Sequence, residues 1–263
     1  EGGVTADGLP GDNDGHGTHV AGTILGNGAL SDSVIKAPGS GDAPYTTSQF
    51  AGIAPAAKIV VIEDFNSFSD AEQAQLTLDS GARISNNSWG NSLFQYGTLS
   101  AAWDALVRDA DTNAVGRQEL IAFFAAGNAG AGNDDGSGGI AGTVGEPGNA
   151  KNVITIGALE QRRKADNLAG AVEETDSDWQ IASYSSRGPV TATDIRFKPD
   201  LVAPGSYVLS VQSSETLPDE LIEPLLPNRD YRYSNLNSGT NYAFFSGTSM
   251  ATPVAAGAAA LFY

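Results

Sequence analysis

The chain contains only two histidines, His16 and His19, both in the stretch DNDGHGTHVAGTILG. Histidine is the side chain whose ordinary pKa suits general-base chemistry near neutral pH. Gly15 and Gly17 flank His16, so neither neighbour carries a side chain that would block a substrate from the imidazole. The pair could instead bind a metal or simply be polar surface residues, but the HExxH pattern of zinc peptidases is absent. If histidine acts as a base here, it is one of these two.

Ser249 stands in FSGTSMATP, just before an apolar stretch with helical composition. Serine is a favoured helix N-cap, and position alone favours that role. The same position also suits a nucleophile, because the unpaired N–H groups of a helix start can stabilise a developing oxyanion. The sequence leaves both roles open.

Asn128 follows a buried apolar run in FFAAGNAG. Asparagine before small residues commonly forms a turn. At the carboxyl end of a parallel strand, however, its amide could donate a hydrogen bond to an oxyanion, and open α/β sheets bind ligands at that edge.

The elements that must position these residues alternate along the chain. Near-continuous apolar runs predict strands buried on both faces, at 57–65, 82–89, 120–127, 152–159 and 201–205. Amphipathic stretches predict helices, at 19–25, 70–82 and 98–112. This alternation predicts an α/β fold of three layers, with a mostly parallel central sheet and helices on both faces.

Composition excludes several classes of function. Acidic residues outnumber basic ones 31 to 14, and the net charge of -17 argues against nucleic acid or an anionic membrane as partner. The absence of cysteine excludes disulfides, thiolate catalysis and cysteine zinc sites. No apolar stretch reaches the roughly 18 residues that a membrane span needs. We expect no membrane span.

Several motifs together resemble the subtilisin-like serine protease family, the subtilases. GHGTHVAG is similar to the histidine motif of that family, AAGN to its oxyanion segment and GTSMATP to its nucleophile motif. Further similar stretches are GIAPAAKIVVI, ISNNSWG, TVGEPGNAKNVITIGAL, SYSSRGP and KPDLVAPG. The arrangement of loops is most similar to that of the bacterial alkaline proteases. A G-x-S-x-G elbow, which the α/β-hydrolases require, is absent around Ser249.

The resemblance implies a serine endopeptidase that acts on polypeptides through a Ser/His/Asp triad and an acyl-enzyme. It assigns His16 as general base, Ser249 as nucleophile and Asn128 as oxyanion donor, and it makes His19 structural. It also implies a substrate-binding edge and a pocket for the P1 side chain. The edge comprises Ser88, Trp89 and Gly90, and the pocket comprises Ala125, Ala126, Gly127 and Asn128 with Gly145 as its floor. A glycine floor predicts tolerance of large apolar P1 residues.

The triad aspartate of the family precedes the histidine at the end of a buried strand, and no such strand precedes His16. Asp7 is a weak candidate, and Asp12 and Asp14 lie still closer to the histidine. We therefore expect residues 1–263 to be one catalytic domain truncated at both ends, with the aspartate upstream. The rival hypothesis is a catalytically silent peptide-binding domain that lacks the acid, and an esterase for small acyl esters is a third.

The resemblance carries further expectations. The protein is expected to be secreted and bacterial, and a propeptide or additional domains could lie outside this stretch. No cofactor is expected for catalysis. Structural Ca²⁺ is expected from the family. DNDG resembles the start of a calcium loop but lacks the later glutamate, and acidic residues before a helix also serve as caps.

Overall fold

The structure is a computed structural model that describes residues 3–4, 10–62, 67–111, 113–163, 175–190, 196–215 and 239–263. Its central element is a sheet of four parallel strands in the order β3-β4-β5-β6. These strands are β3 (Ile84–Asn87), β4 (Ile121–Ala125), β5 (Ile154–Leu159) and β6 (Leu201–Pro204). Four of the five predicted strands are thereby confirmed.

Two antiparallel pairs accompany this sheet. β1 (Gly3–Val4) pairs with β2 (Pro10–Gly11), and β7 (Val208–Val211) pairs with β8 (Tyr242–Phe245). β8 leads directly to the serine motif.

The described helices are α1 (His16–Leu25), α2 (Asp70–Asp79), α3 (Thr98–Leu106) and α4 (Thr248–Ala260), with a 3-10 turn at Ser31–Ser33. Local sequence explains where α2 begins. Ser69 accepts a hydrogen bond from the Glu72 N–H while the Glu72 carboxylate accepts from the Ser69 N–H, which is a capping box. Within the described residues, no helix is long and apolar enough to span a bilayer.

Helices cover both faces of the sheet, as alternate residues of β4 show. Phe124 packs in one core cluster with Ala74 of α2 and Trp103 of α3. Phe123 points to the opposite face, where it shares a cluster with Ala251 of α4. Successive strand residues face opposite sides of a sheet, so the predicted three-layer α/β architecture is confirmed.

The prediction of a strand at 57–65 is wrong for its described part. Residues 57–62 form no strand, and 63–66 lie outside the described residues. Val60 and Val61 are 55% and 68% exposed. The apolar pattern is that of a strand, but the structure describes no neighbouring strand with which this segment could form a ladder.

Candidate active site

Ser249 lies in the first turn of α4 and does not cap it. The N-cap is Gly247, whose φ of 149° is a conformation that side chains rarely adopt, and it provides no side-chain cap. Thr248 and Met250 are buried, whereas Ser249 between them is half-buried. The serine hydroxyl donates a hydrogen bond to the main-chain oxygen of Ser88, at 3.0 Å. The capping role that position alone favoured is therefore wrong.

Pro253 explains a second bond between the same two residues. In an α-helix, the carbonyl of Ser249 would accept from the N–H four residues later, but proline has no N–H. The Ser88 hydroxyl donates to this Ser249 oxygen instead, at 2.8 Å. Ser249 at the start of α4 and Ser88 after β3 thus each donate one hydrogen bond to the other.

Asn128 follows β4, and Thr248 fixes the orientation of its amide. Asn128 Oδ1 accepts hydrogen bonds from the main-chain N–H and the side-chain hydroxyl of Thr248, both at 2.9 Å. The Gly127 N–H donates to the same hydroxyl at 3.1 Å. Because Oδ1 faces these donors, Nδ2 faces away from them. Asn128 is exposed, and Nδ2 makes no hydrogen bond to any residue that the structure describes.

His16 begins α1. The preceding Gly15 is left-handed, with a φ of 84°. The Asp12 carboxylate accepts from the Gly15 and Thr18 N–H groups, at 2.9 and 2.7 Å, and so caps the helix. The pKa of His16 is lowered, chiefly because the surrounding protein desolvates the imidazolium, while the carboxylates of Asp14 and Asp12 oppose this shift.

His19 is fully buried and serves the core. Its Nε2 lies 2.9 Å from the Val208 oxygen and 3.1 Å from the Ala243 oxygen, and its ring stacks on Phe245 at 4.4 Å. Desolvation lowers its pKa to about 3. Of the two histidines, His16 is therefore the candidate for a base near neutral pH.

The two helices that carry His16 and Ser249 pack together in the same direction. Val20 of α1 and Met250 of α4 belong to one core cluster near the helix starts. Further along, a Cβ placed on Gly257 would lie 3.4 Å from the Ile24 carbonyl oxygen. His16 and Ser249 are therefore first-turn residues at the same end of a parallel helix pair.

The predicted substrate edge directly follows β3. The Trp89 ring packs inward, 5.3 Å from that of Phe124 and 6.4 Å from that of Trp103. Ser88 is half-buried and Gly90 is exposed. The aromatic side chain thus anchors the segment, and the main chain of Gly90 stays accessible.

The Gly145 N–H donates a hydrogen bond to the Ala126 oxygen at 3.3 Å, so the predicted floor of the pocket adjoins one of its predicted walls. Ala125 and Ala126 are buried at the end of β4, and Gly127 is half-buried. Gly145 is buried, and a Cβ placed there would lie 1.9 Å from the Asn91 carbonyl oxygen. The glycine therefore permits close approach of two main-chain segments, because the Asn91 oxygen lies where a Cβ would be.

The candidate acids differ in their surroundings. Asp7 lies outside the described residues. The Asp12 carboxylate is occupied by the helix amides, which agrees with the capping alternative for DNDG. In the part of the chain that the structure describes, no three His, Asp or Glu side chains gather as a metal site would require.

A functional candidate that the sequence did not reveal is Glu146, between Gly145 and Pro147. Its carboxylate is buried and bonded to the start of α3. Glutamate is rarely buried without partners, so the sequence alone gives no signal for this role.

Comparison with known proteins gives a consistent result. The model of the subtilase family matches residues 3–263. Serine protease AprX of Bacillus subtilis (strain 168) is 29% identical over 96% of this chain and 49% of its own length. Subtilisin E of the same organism is 30% identical over 95% of this chain and 46% of its own length. The chain thus spans about half the length of these two relatives.

Solved structures share the fold. The S41 psychrophilic protease matches with a TM-score of 0.52 and 26% identity, covering 95% of this chain and 63% of its own. Sphericase matches with a TM-score of 0.53 and 24% identity, covering 98% and 66%. The three motifs, the three-layer fold and a family match along nearly the whole sequence agree, and the chain belongs to the subtilase family of serine peptidases.

Proposed function

We propose that this chain is the catalytic domain of a secreted bacterial serine endopeptidase. The observation that carries the proposal is the placement of Ser249, whose hydroxyl is held at the start of a helix beside Asn128. A serine with only a capping or structural role would not need a neighbouring Asn128 side chain. The Oδ1 of that side chain is fixed by Thr248, so that its Nδ2 is free to donate elsewhere.

In the proposed reaction, Ser249 Oγ attacks the scissile carbonyl carbon and His16 accepts the hydroxyl proton. The negative charge develops on the former carbonyl oxygen. Asn128 Nδ2 and the Ser249 N–H would donate to it. In the described residues this N–H has no acceptor, as expected for the first turn of a helix. His16 then protonates the leaving amine, and water repeats the steps on the acyl-enzyme.

Polypeptides fit this site as substrates. An extended peptide could pair with the main chain of the edge at 88–90, so that backbone hydrogen bonds supply much of the affinity. The small wall residues Ala125 and Ala126 favour an apolar P1 side chain. Gly145 stays our proposal for the floor of this pocket. A peptide library that preferred charged P1 residues would contradict this.

A catalytic triad also needs an acid. An open groove beside β3 supports the proposal that a further strand carries this acid. Among the described residues, β3 has a strand partner on one side only. The groove on its other side is apolar, bounded by α1, α4 and segment 57–62, and it reaches Gly17 beside His16. A parallel strand here would pair with β3 and bring its end towards the imidazole. We propose that an upstream strand occupies this groove and carries the aspartate.

Structural Ca²⁺ and a propeptide are also proposals from the resemblance. The described carboxylates form no three-residue site, so the structure assigns no calcium ligand. If full-length protein melts at the same temperature with and without excess chelator, the calcium proposal is wrong.

The test is hydrolysis of denatured casein by the full-length protein, beside Ser249→Ala and His16→Ala. We expect internal cleavage that both substitutions abolish. Hydrolysis of p-nitrophenyl acetate without cleavage of casein would favour the esterase. Peptide binding without any hydrolysis would favour the silent binding domain.

A further inference from the structure

Glu146 carries a carboxylate that is buried, with the residue 4% exposed. Its Oε1 accepts hydrogen bonds from the Gly97 N–H at 2.7 Å, from the Ser100 N–H at 3.1 Å and from the Ser100 hydroxyl at 2.8 Å. Glu146 makes no ion pair with the described residues. The charge is instead stabilised by the N–H groups at the start of α3.

This cap comes from a distant part of the chain. The N-cap position of α3 is Gly97, which has no side chain to offer, and Glu146 lies 49 residues further on. In contrast, Ser69 and Glu72 cap α2 locally and in solvent. A local cap would suffice to start a helix, so the remote one also fixes where α3 lies relative to the Gly145 segment.

The main chain of Glu146 bonds to the segment that directly follows the proposed substrate edge. Its carbonyl oxygen accepts from the Asn91 N–H at 2.8 Å, and its N–H donates to the Leu93 oxygen at 3.1 Å. Asn91 directly follows the edge at 88–90. One residue therefore connects the edge, the proposed pocket floor and the start of α3.

Asn149 strengthens the same connection. It is fully buried, and its Nδ2 donates to the Gln95 oxygen at 3.1 Å. The Ser100 hydroxyl lies 2.5 Å from its Oδ1. Residues 91–97, which contain no helix or strand, are thus held by buried polar groups from 146–149 at both ends and in the middle.

We propose that Glu146 is a positioning residue for the substrate edge. Its carboxylate holds the end of the 91–97 loop at Gly97 and its main chain holds the beginning at Asn91, so that the main chain at 88–90 is preorganised to pair with an extended peptide. This inference rests on the proposed function, but it assigns Glu146 to peptide binding and gives it no part in the reactivity of Ser249.

The test compares two substrates in the full-length protein. A tetrapeptide p-nitroanilide uses the edge, whereas p-nitrophenyl acetate is too small to reach it. In Glu146→Ala, the Gly97 and Ser100 N–H groups lose their acceptor, and we expect the ratio of kcat/KM for the peptide to that for the ester to fall about tenfold. The loss should lie mainly in KM. Glu146→Gln keeps an acceptor oxygen and should recover part of the ratio.

Glu72→Ala is the matched control, because it removes a helix-start glutamate from α2. It should lower the thermal midpoint without changing the substrate ratio. The positioning role is wrong if Glu146→Ala and Glu146→Gln lower kcat/KM equally for the peptide and the ester. It is also wrong if they lower only the thermal midpoint.

Binding measurements separate this inference from the proposed function. In a Ser249→Ala background, calorimetry with an uncleaved tetrapeptide should give a weaker Kd when Glu146 is also replaced. An unchanged Kd overturns the inference, as does the absence of any peptide binding. Labelling of Ser249 by a fluorophosphonate reports the proposed function independently, because the reagent does not use the edge.

Discussion

Ser249 and Ser88 are joined by two hydrogen bonds, from the Ser249 hydroxyl to the Ser88 oxygen at 3.0 Å and from the Ser88 hydroxyl to the Ser249 oxygen at 2.8 Å. The second exists because Pro253 leaves that oxygen without a helical donor. The proposed nucleophile and the proposed substrate edge are therefore parts of one bonded unit. A peptide that pairs with 88–90 would be placed directly against Ser249.

Replacing Asn128 by alanine should lower kcat by about 10²–10³ with little change in KM, a range that includes values measured in a subtilisin. The amide donates to charge that develops only in the transition state. Steady-state kinetics on a peptide anilide checks this, with Asn133→Ala in the following loop as control. An increase confined to KM would show that Asn128 binds substrate instead.

Thr248→Val should give a smaller loss in kcat, about fivefold, because a hydrogen bond of about 1 kcal/mol orients the Asn128 amide. Valine keeps the shape of threonine but cannot donate to Asn128 Oδ1 or accept from the Gly127 N–H. Thr248→Ser retains the hydroxyl and should retain most activity. Equal losses in the two variants would argue against this orienting role.

The acid limb of the kcat/KM profile should follow the pKa of His16, because the base must be neutral to accept the serine proton. The Asp14 carboxylate raises this pKa. Asp14→Asn should therefore move the acid limb to lower pH, whereas Asp32→Asn, which removes an exposed charge elsewhere, should leave it in place. A shift to higher pH in Asp14→Asn would contradict the assignment of His16 as base.

His19 should make the protein less stable as the pH falls below 6.5. Its folded-state pKa is about 3, so between these values the unfolded chain binds a proton that the folded protein does not. Stability then falls by at most about 1.4 kcal/mol per pH unit from this residue. Denaturant unfolding of wild type and His19→Gln between pH 4 and 6.5 should show a steeper dependence for the wild type. Parallel curves would show that His19 titrates alike in both states.

The sequence predicted those parts of the fold in which local pattern and tertiary packing agree. The apolar runs at 120–127 and 152–159 contain strands of the central sheet, and Ser249 and His16 lie in the first turns of helices. Segment 57–62 failed as a strand because a ladder needs a neighbour as well as an apolar pattern.

The contacts of the site were less predictable for the same reason. Glu146 looks like a surface residue in sequence, and its role depends on a helix start 49 residues away. Gly145 was expected as the floor of the pocket, but its sequence neighbours give no sign that the Asn91 oxygen lies where a Cβ would be. Pro253 indicates that the Ser249 carbonyl lacks a helical donor, but the sequence does not indicate that the Ser88 hydroxyl is the donor that replaces it.

The most direct test of the central claim is labelling of the folded full-length protein, freed of any propeptide, with an active-site fluorophosphonate. Mass mapping of the modified residue and a Ser249→Ala control would accompany it. The account predicts stoichiometric modification at Ser249 and none in the variant. A protein that stays unlabelled, or is labelled elsewhere, would contradict the claim that Ser249 is an activated nucleophile.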